Sequence, residues 1–404
     1  MQHANENIVV GLDVGTSKIC AVVGRQHNDH IEILGIGQSR TSGLRKGFVI
    51  NIESTVKSIR KAIEGAELIS GCSIKNVVVG IADRFMHGQN SNGMVTLKGR
   101  EVTKNDVQRV IDLTQAVPLL ADRRMLHVIP QEFIVDSYDG IENPLGISGE
   151  RLEARVHLVT AASASVANIV KACGQAELVV DEVIFQPLAS AQAVLMPEER
   201  DLGVVMIDIG SGTTDIATFR RGTLRHTSVI PVAGNHLTSD LAVGLRVTTS
   251  EAEQVKCIHG CCQGDIMDGE PPVELLTTIG VRNRFVSRDS IRNILYCRAN
   301  EIFTIIDREL TCSGFKSNLA AGAVITGGSS RLPGMVKLAE MVLNMPVRVG
   351  EPRHISGLAD SVCLPQFSTG VGLVLSGFKV KHTPEIQTET LFDKLRLRIN
   401  CLWG

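Results

Sequence analysis

The 404-residue sequence contains no run of about 18 apolar residues, so no helix that crosses a bilayer is expected. It has no excess of either charge, with 41 basic residues against 43 acidic ones. A dedicated nucleic-acid-binding domain is usually strongly basic, so no nucleic-acid partner is expected, although local basic patches stay open. The start, MQHANENIVV, has neither a basic leading segment nor a long apolar stretch, and no secretory signal is read there. The ten cysteines are scattered rather than spaced as a disulfide framework, which points to a reducing cytosol. Cys257, His259, Cys261 and Cys262 cluster, but the second, separated pair that zinc normally takes is not evident. A helix end with small buried thiols is the better account.

What is present is a chain with 44% hydrophobic residues, long enough for two or more domains. IVVGLDVGTSKICAVVG reads as an apolar strand, a glycine-rich turn and a second strand. From Asn51 to Ser70, Val56, Ile59, Ile63 and Leu68 recur at helical spacing, and VVVGIA follows as a strand. Residues 83–161 look like an insert. Thr103 and Asp106 open a helix with a capping-box pattern, LHVIPQEFIVD and RLEARVHLVTA are extended, and the turn-rich SYDGIENPLGISGE between them reads as a loop. Helix SASVANIVKACGQA and strand VDEVIF lead to VVMIDIGSGTTDIATFR, again strand, glycine-rich turn, strand. DVGTS at 13–17 and DIGSG at 208–212 are one device used twice, nearly half the chain apart. Such a repeat implies two similar domains, each led by a β-hairpin.

The chemistry of the two turns is legible. Each places an aspartate, Asp13 or Asp208, at the end of an apolar strand. Glycines let backbone N–H groups wrap anionic oxygens. Thr16, Ser17, Ser211, Thr213 and Thr214 add hydroxyls, and Lys18 adds a positive charge suited to a phosphate. Two carboxylates across a cleft suit a hydrated Mg²⁺. In GAVITGGSSRLPGM, Gly327 and Gly328 permit a flat base to lie against backbone, with Ser329 and Arg331 at its edge. By itself that segment reads better as an ordinary strand-to-helix turn.

The order DVGTSK, FQPLASA, DIGSGTTD, ITGGSSRLPG, FSTGVGL resembles the actin, Hsp70 and sugar-kinase superfamily, in which these stretches are phosphate 1, connect 1, phosphate 2, adenosine and connect 2. Within it, GLDVGTSK, GIENPLGISGERLEAR, HTSVIPVAGNHLTSDLA and SEAEQVK resemble the FtsA family, from Ile8 to Trp403. The resemblance implies an α/β, actin-like fold, that is, a duplicated ribonuclease-H-like pair of domains with an inserted small α/β subdomain and a C-terminal amphipathic helix. The corresponding boundaries are 1–82 with 162–199, the insert 83–161, a second domain 200–377, a linker 378–388 and a tail helix 389–404. It further implies ATP and Mg²⁺ as ligands, with Asp13 and Asp208 on the metal side, through water. Gly15, Thr16, Ser17, Lys18, Gly210, Ser211, Gly212, Thr213 and Thr214 would form the phosphate loops, with Gly234 and Asn235 beside them. Glu253 and Lys256 would contact the ribose, although unaided they read as a solvated i,i+3 ion pair. Gln186 stands where relatives orient the attacking water; the resemblance implies at most weak ATPase activity.

The last segment, after the polar linker KVKHTPEIQTE, returns to helical periodicity. On a helical wheel Leu391, Phe392, Leu395, Ile399, Leu402 and Trp403 fall within about 120°. Lys394 and Arg398 flank one side and Arg396 the other, while Leu397 is off the stripe and Asp393 goes against the trend. This suits a helix lying in an anionic membrane interface. Docking on the chain's own body is the alternative. Partial burial of six such side chains, at about 1.5–3 kcal/mol each in full, is offset by about 1 kcal/mol per residue ordered. One tail should bind weakly and several tails on one polymer far better.

The resemblance implies as partners the C-terminal tail of FtsZ, further copies of the chain in a homopolymer, and later division proteins through the insert. It places the protein at the division septum, peripheral to the cytoplasmic face of the inner membrane. RNRFVSRDSIRNILYCRANEIF, with Arg282, Arg284, Arg288, Arg292 and Arg298, suits an acidic and apolar peptide, with Arg288 and Arg298 as the chosen contacts; a solvated basic face is the alternative. Competing readings are a PilM-like pilus adaptor, expected to lack such a tail, and a small-molecule kinase, for which no substrate-side base is found. An Hsp70-type chaperone is disfavoured because no substrate domain follows.

Overall fold

Ile8–Val14 forms β1, and every residue from Val9 onward is buried, because a strand covered on both faces is apolar throughout rather than alternating. The computed structural model describes residues 7–27, 30–263, 271–275 and 284–381. β1 is followed by β2 (Lys18–His27), β3 (His30–Arg40), a short hairpin of β4 (Leu44–Arg45) and β5 (Phe48–Val49), α1 (Ile52–Ser70) and β6 (Asn76–Ile81). The insert supplies β7 (His87–Thr96), α2 (Lys104–Thr114), β8 (Arg123–Val135), β9 (Tyr138–Ile141) and β10 (Arg151–Ala162). Next come α3 (Ser163–Gln175), β11 (Val179–Phe185), α4 (Gln186–Val194) and α5 (Pro197–Leu202). The second half has β12 (Val204–Ile209), β13 (Thr214–Arg220), β14 (Thr223–Ile230), α6 (Gly234–Leu245), α7 (Thr249–His259), β15 (Val273–Leu275), β16 (Arg284–Val286) and α8 (Arg288–Cys312). It ends with β17 (Ala323–Thr326), α9 (Met335–Leu343), β18 (Val347–Val349), β19 (Ile355–Gly357), α10 (Ala359–Val362) and α11 (Ser368–Lys381).

The duplication read in the sequence is present as topology. One sheet has the order β11-β6-β1-β2-β3-β19 and the other β14-β13-β12-β17-β18. In both, the leading strand is antiparallel to its hairpin partner and parallel to a later strand, β1 with β2 and β6, β12 with β13 and β17. One apolar core is built around the first sheet and takes in one face of the second through Val204, Met206, Ala217 and Phe219, and another covers the opposite face of the second sheet through Val205, Ile207 and Ile216. The insert forms a separate sheet, β7-β10-β8-β9, over a third core built around Val110, Val128, Phe133, Leu152 and Val156.

Local chemistry explains the element ends. Asn51 caps α1 by accepting from Ser54 N, and Gly71, in the left-handed region at φ 68°, ends it. Val56, Ile59 and Ile63 are buried along α1, each contributing about 1.5–3 kcal/mol. Leu68, expected on that stripe, is instead 86% exposed, because Ala66 occupies the buried position there. Thr103 and Asp106 cap α2 reciprocally, as expected. The loop read at 137–150 is part strand: Tyr138 and Ile141 pair with Val135 and Phe133. β7 was not foreseen. Its sequence, HGQNSNGMVT, shows no apolar alternation, since it is an edge strand whose partner β10 supplies the buried residues.

The boundary expected at 377 does not follow the packing. β19 pairs in parallel with β3 of the first sheet, and Val371, Leu373, Val374 and Phe378 of α11 join the first core. α11 crosses α4 so closely that a Cβ at Gly372 would lie 1.8 Å from Ala189 O. The two crossed helices thus form the floor between the domains.

Candidate functional site

The two hairpin turns meet in the cleft. In each, the first glycine donates back across the turn, Gly15 N to Lys18 O and Gly210 N to Thr213 O, both at 3.0 Å. The same backbone shape therefore appears twice, facing itself. A Cβ on Gly212 would stand 2.4 Å from Thr16 Oγ1, so the turns touch. The first turn is braced from behind: Thr41 Oγ1 donates to Gly15 O at 2.9 Å, and Thr16 Oγ1 accepts from Gly47 N at 2.9 Å. The second is braced from above, with Gly234 N and Ser329 Oγ both donating to Gly210 O at 3.0 Å, and Asn235 N to Ser211 O at 2.8 Å. The second turn, α6 and the loop that holds Ser329 are thus one hydrogen-bonded unit.

Asp13 and Asp208 are both buried, each only 8% exposed. Gln186 Nε2 donates to Asp13 Oδ1 at 2.9 Å. Ser190 Oγ, one turn further along α4, donates to Asp208 Oδ2 at 2.7 Å, and Thr369 Oγ1 reaches the same oxygen at 3.3 Å. Burial pushes the Asp13 carboxyl up to about 6, countered by Lys18 and reinforced by Asp208. Burial also raises Asp208, against the hydrogen bonds from Ser190 and Thr369 and the charge of Lys18. Asp215, paired with Asp208 across the hairpin, is raised well above the usual range by burial and by Asp208. Its Oδ1 has no hydrogen-bond partner among the described residues. Three buried carboxyls short of positive charge, with an orphaned oxygen among them, fit a divalent cation.

Most expected residues converge here, with corrections. Thr214 does not line the cleft: it is fully buried and donates from Oγ1 to Val232 O at 2.8 Å, bracing β13. Lys18 Nζ donates to Gln366 O at 2.7 Å and lies 4.2 Å from the centre of the Phe367 ring, which anchors it under the connect-2 segment. Glu253 and Lys256 are not a solvated pair. Lys256 is 8% exposed and donates to Glu253 Oε2 at 2.6 Å and Thr238 Oγ1 at 2.8 Å, tying α7 to α6. Gly327, at φ 84°, abuts Asp208, and Arg331 Nη1 donates to Gln366 Oε1 at 3.0 Å. The residues missed are Ser190, Asp215, Thr369 and Gly80. The first three stand inside FQPLASA, GTTD and FSTG, so the signal was present.

Away from the cleft, Arg298 binds Asp240 through Nε and Nη2 at 2.5 and 3.0 Å, and also Glu301. Arg288 Nε donates to Pro271 O at 3.2 Å. Arg292 is buried and bonds Asp289, so the arginine segment is less open than its sequence suggests. Arg282 lies outside the described residues, as do Leu391, Phe392, Lys394, Leu395, Arg396, Arg398, Ile399, Leu402 and Trp403. Among the described residues at Cys257–Cys262 no group of metal-ligating side chains stands out.

A family profile described as "Cell division protein FtsA" matches residues 205–372, and one described as "SHS2 domain inserted in FTSA" matches 85–160. The chain is 43% identical over 373 residues to the cell division protein FtsA of Pseudomonas aeruginosa, covering 92% of this chain and 89% of that one. It is 39% identical over 397 residues to that of Escherichia coli K12, covering 96% and 94%. The chain belongs to the FtsA family. It is an actin-like protein of cell division. Among solved structures, a PilM–PilN type IV pilus biogenesis complex aligns with a TM-score of 0.67 at 17% identity, covering 91% of this chain and 98% of that one. MreB5 of Spiroplasma citri bound to ADP aligns at 0.53 and 14%, covering 93% and 96%. These two likenesses are of fold, and they place the FtsA-family cleft in the actin-like architecture.

Proposed function

We propose that this chain binds ATP with Mg²⁺ between its two hairpins, polymerises in that state, and tethers the FtsZ filament to the cytoplasmic face of the inner membrane. The observation that carries the reading is the pair of touching turns, each with a buried aspartate behind it, in a chain of the FtsA family. Gly15–Lys18 and Gly210–Thr213 cradle the phosphates, with Gly234 and Asn235 holding the second loop in shape. Glu253 and Lys256 present the ribose face, and Gly327, Gly328, Ser329 and Arg331 the base. Mg²⁺ supplies neutralising charge beside Asp13 and Asp208. Gln186, held on Asp13, orients water on the phosphate side; any hydrolysis is slow, and ATP acts chiefly by closing the cleft.

The FtsZ C-terminal tail docks by Arg288 and Arg298, and the insert receives later division proteins. The tail helix at 389–404 supplies weak, additive membrane attachment. The test is sedimentation of labelled FtsZ with anionic vesicles and Mg-ATP, using the full chain and a truncation ending at Lys379. FtsZ should pellet only with the full chain. If the chain pellets without FtsZ, the anchor stands and the partner is wrong; if neither pellets, the tether reading fails.

A further inference from the structure

β11 is the outer strand of the six-stranded sheet, paired on one side with β6. Edge strands leave backbone N–H groups without a ladder partner, and a buried one must find another acceptor. At the end of β11 that acceptor comes from the insert. His127 of β8 accepts from Phe185 N through Nε2 at 2.9 Å. Both residues are 1% exposed. A neutral ring that accepts at Nε2 carries its proton on Nδ1, and Nδ1 has no hydrogen-bond partner among the described residues. The imidazole is therefore committed to one bond, at the expense of an unmatched buried donor.

Phe185 is the cap residue of α4, and no side chain of α4 itself caps that end. The next residue is Gln186, which bonds Asp13. Within the sheet, Asp13 sits beside Gly80 and Gly80 beside Ile184. Gln186 reaches Asp13 across Gly80, where a Cβ would stand 3.0 Å from its Cγ. The reach depends on where the strand turns into the helix, and His127 holds that turn.

We propose that His127 is a positioning residue for Gln186, through which the inserted subdomain acts on the phosphate side of the cleft. The proposal rests on the reading of that cleft as the ATP site. It makes movement of the insert felt at Gln186, and it makes ATP binding felt at the insert in return.

The test uses the full-length chain with His127→Leu, which removes the acceptor, and His127→Gln, which retains one. Hydrogen exchange without nucleotide is followed in the peptide that contains Phe185. His127→Leu should speed exchange there about tenfold or more, and His127→Gln should restore part of the protection. Affinity for a fluorescent ATP analogue with Mg²⁺ should fall several-fold in His127→Leu, and add little further loss in a Gln186→Ala background. Unchanged exchange at Phe185, or a loss that adds in full to that of Gln186→Ala, overturns the proposal. Wild-type protein that binds no ATP analogue sinks the nucleotide reading, and exchange at Phe185 then decides the positioning of the turn by itself. If His127→Leu does not fold, ¹⁵N resonances of the wild-type ring decide: the proton is expected on Nδ1, and a proton on Nε2 overturns the proposal.

Discussion

Gln186 and Asp13, 173 positions apart in sequence, are joined by a 2.9 Å hydrogen bond that passes over Gly80. The bond ties the first residue of α4 to the end of strand β1, at the cleft. Gly80 is what makes room, since a Cβ there would stand 3.0 Å from both Gln186 Cγ and Leu373 Cδ1.

Gly80→Ala should therefore displace Gln186 and crowd α11 together. The expected loss of stability is about 1–3 kcal/mol, and Gln186→Ala, which leaves the buried Asp13 without its donor, should also lose about 1–3 kcal/mol. Both should reduce whatever ATP turnover the wild type shows. Thermal unfolding alongside a phosphate-release assay separates the two, and full turnover in Gln186→Ala would remove Gln186 from the reaction.

Asp13 should make the nucleotide-free protein more stable toward mildly acidic pH. Its folded value of about 6 lies above the usual carboxylate value of about 3.9. Its stabilising contribution is full below the unfolded value and is lost as pH rises through the folded one. Across that window the ionised side chain costs the folded state about 3 kcal/mol. Asp13→Asn should raise the melting temperature at about pH 8 and flatten its dependence down to about pH 5. Mg-ATP should stabilise the wild type and not the variant. A lower melting temperature in Asp13→Asn at pH 8 would contradict the assignment.

Lys256 joins α7 to α6 through Glu253 and Thr238. Lys256→Met keeps the stem and removes the charge, leaving Glu253 half-buried without its cation. It should cost about 1–3 kcal/mol in denaturant unfolding and weaken ATP, with less effect on free triphosphate. Equal weakening of both would move Lys256 away from the ribose.

Arg298 is held by Asp240 and Glu301. Arg298→Glu puts a third carboxylate beside these two, so it should destabilise α8 as well as weaken the FtsZ tail. Arg288→Glu, at the start of α8, should weaken the tail with little loss of stability. Peptide titration by fluorescence anisotropy, read beside the melting temperature, distinguishes them. Tail affinity unchanged by both substitutions would rule out this face.

Strands and turns were legible where one face or both are covered by apolar residues, as at Ile8–Val14 and Val204–Ile209. They were hidden where a partner strand supplies the core, as in β7. The two glycine-rich turns were legible because glycine, hydroxyl and aspartate at that spacing leave few alternatives. The fates of individual hydroxyls were not: Thr213 and Thr214 are neighbours in the same motif, yet Thr214 is spent on Val232 O. Strand alternation alone does not say which neighbour is spent on a backbone acceptor until the surrounding elements are in place.

The sequence by itself determined the duplication, the two aspartates behind their turns, the capping of α2, and the family, because each rests on local residue chemistry or on a repeated order of motifs. Only the tertiary structure decided that the chain returns its last described helix to the first core and that Lys256 is buried. It alone brought His127 of the insert to the backbone beside Gln186. Those contacts join different elements, 18 residues apart for Lys256 and Thr238 and 58 for His127 and Phe185, and they depend on how sheets and helices stack, which no local pattern encodes.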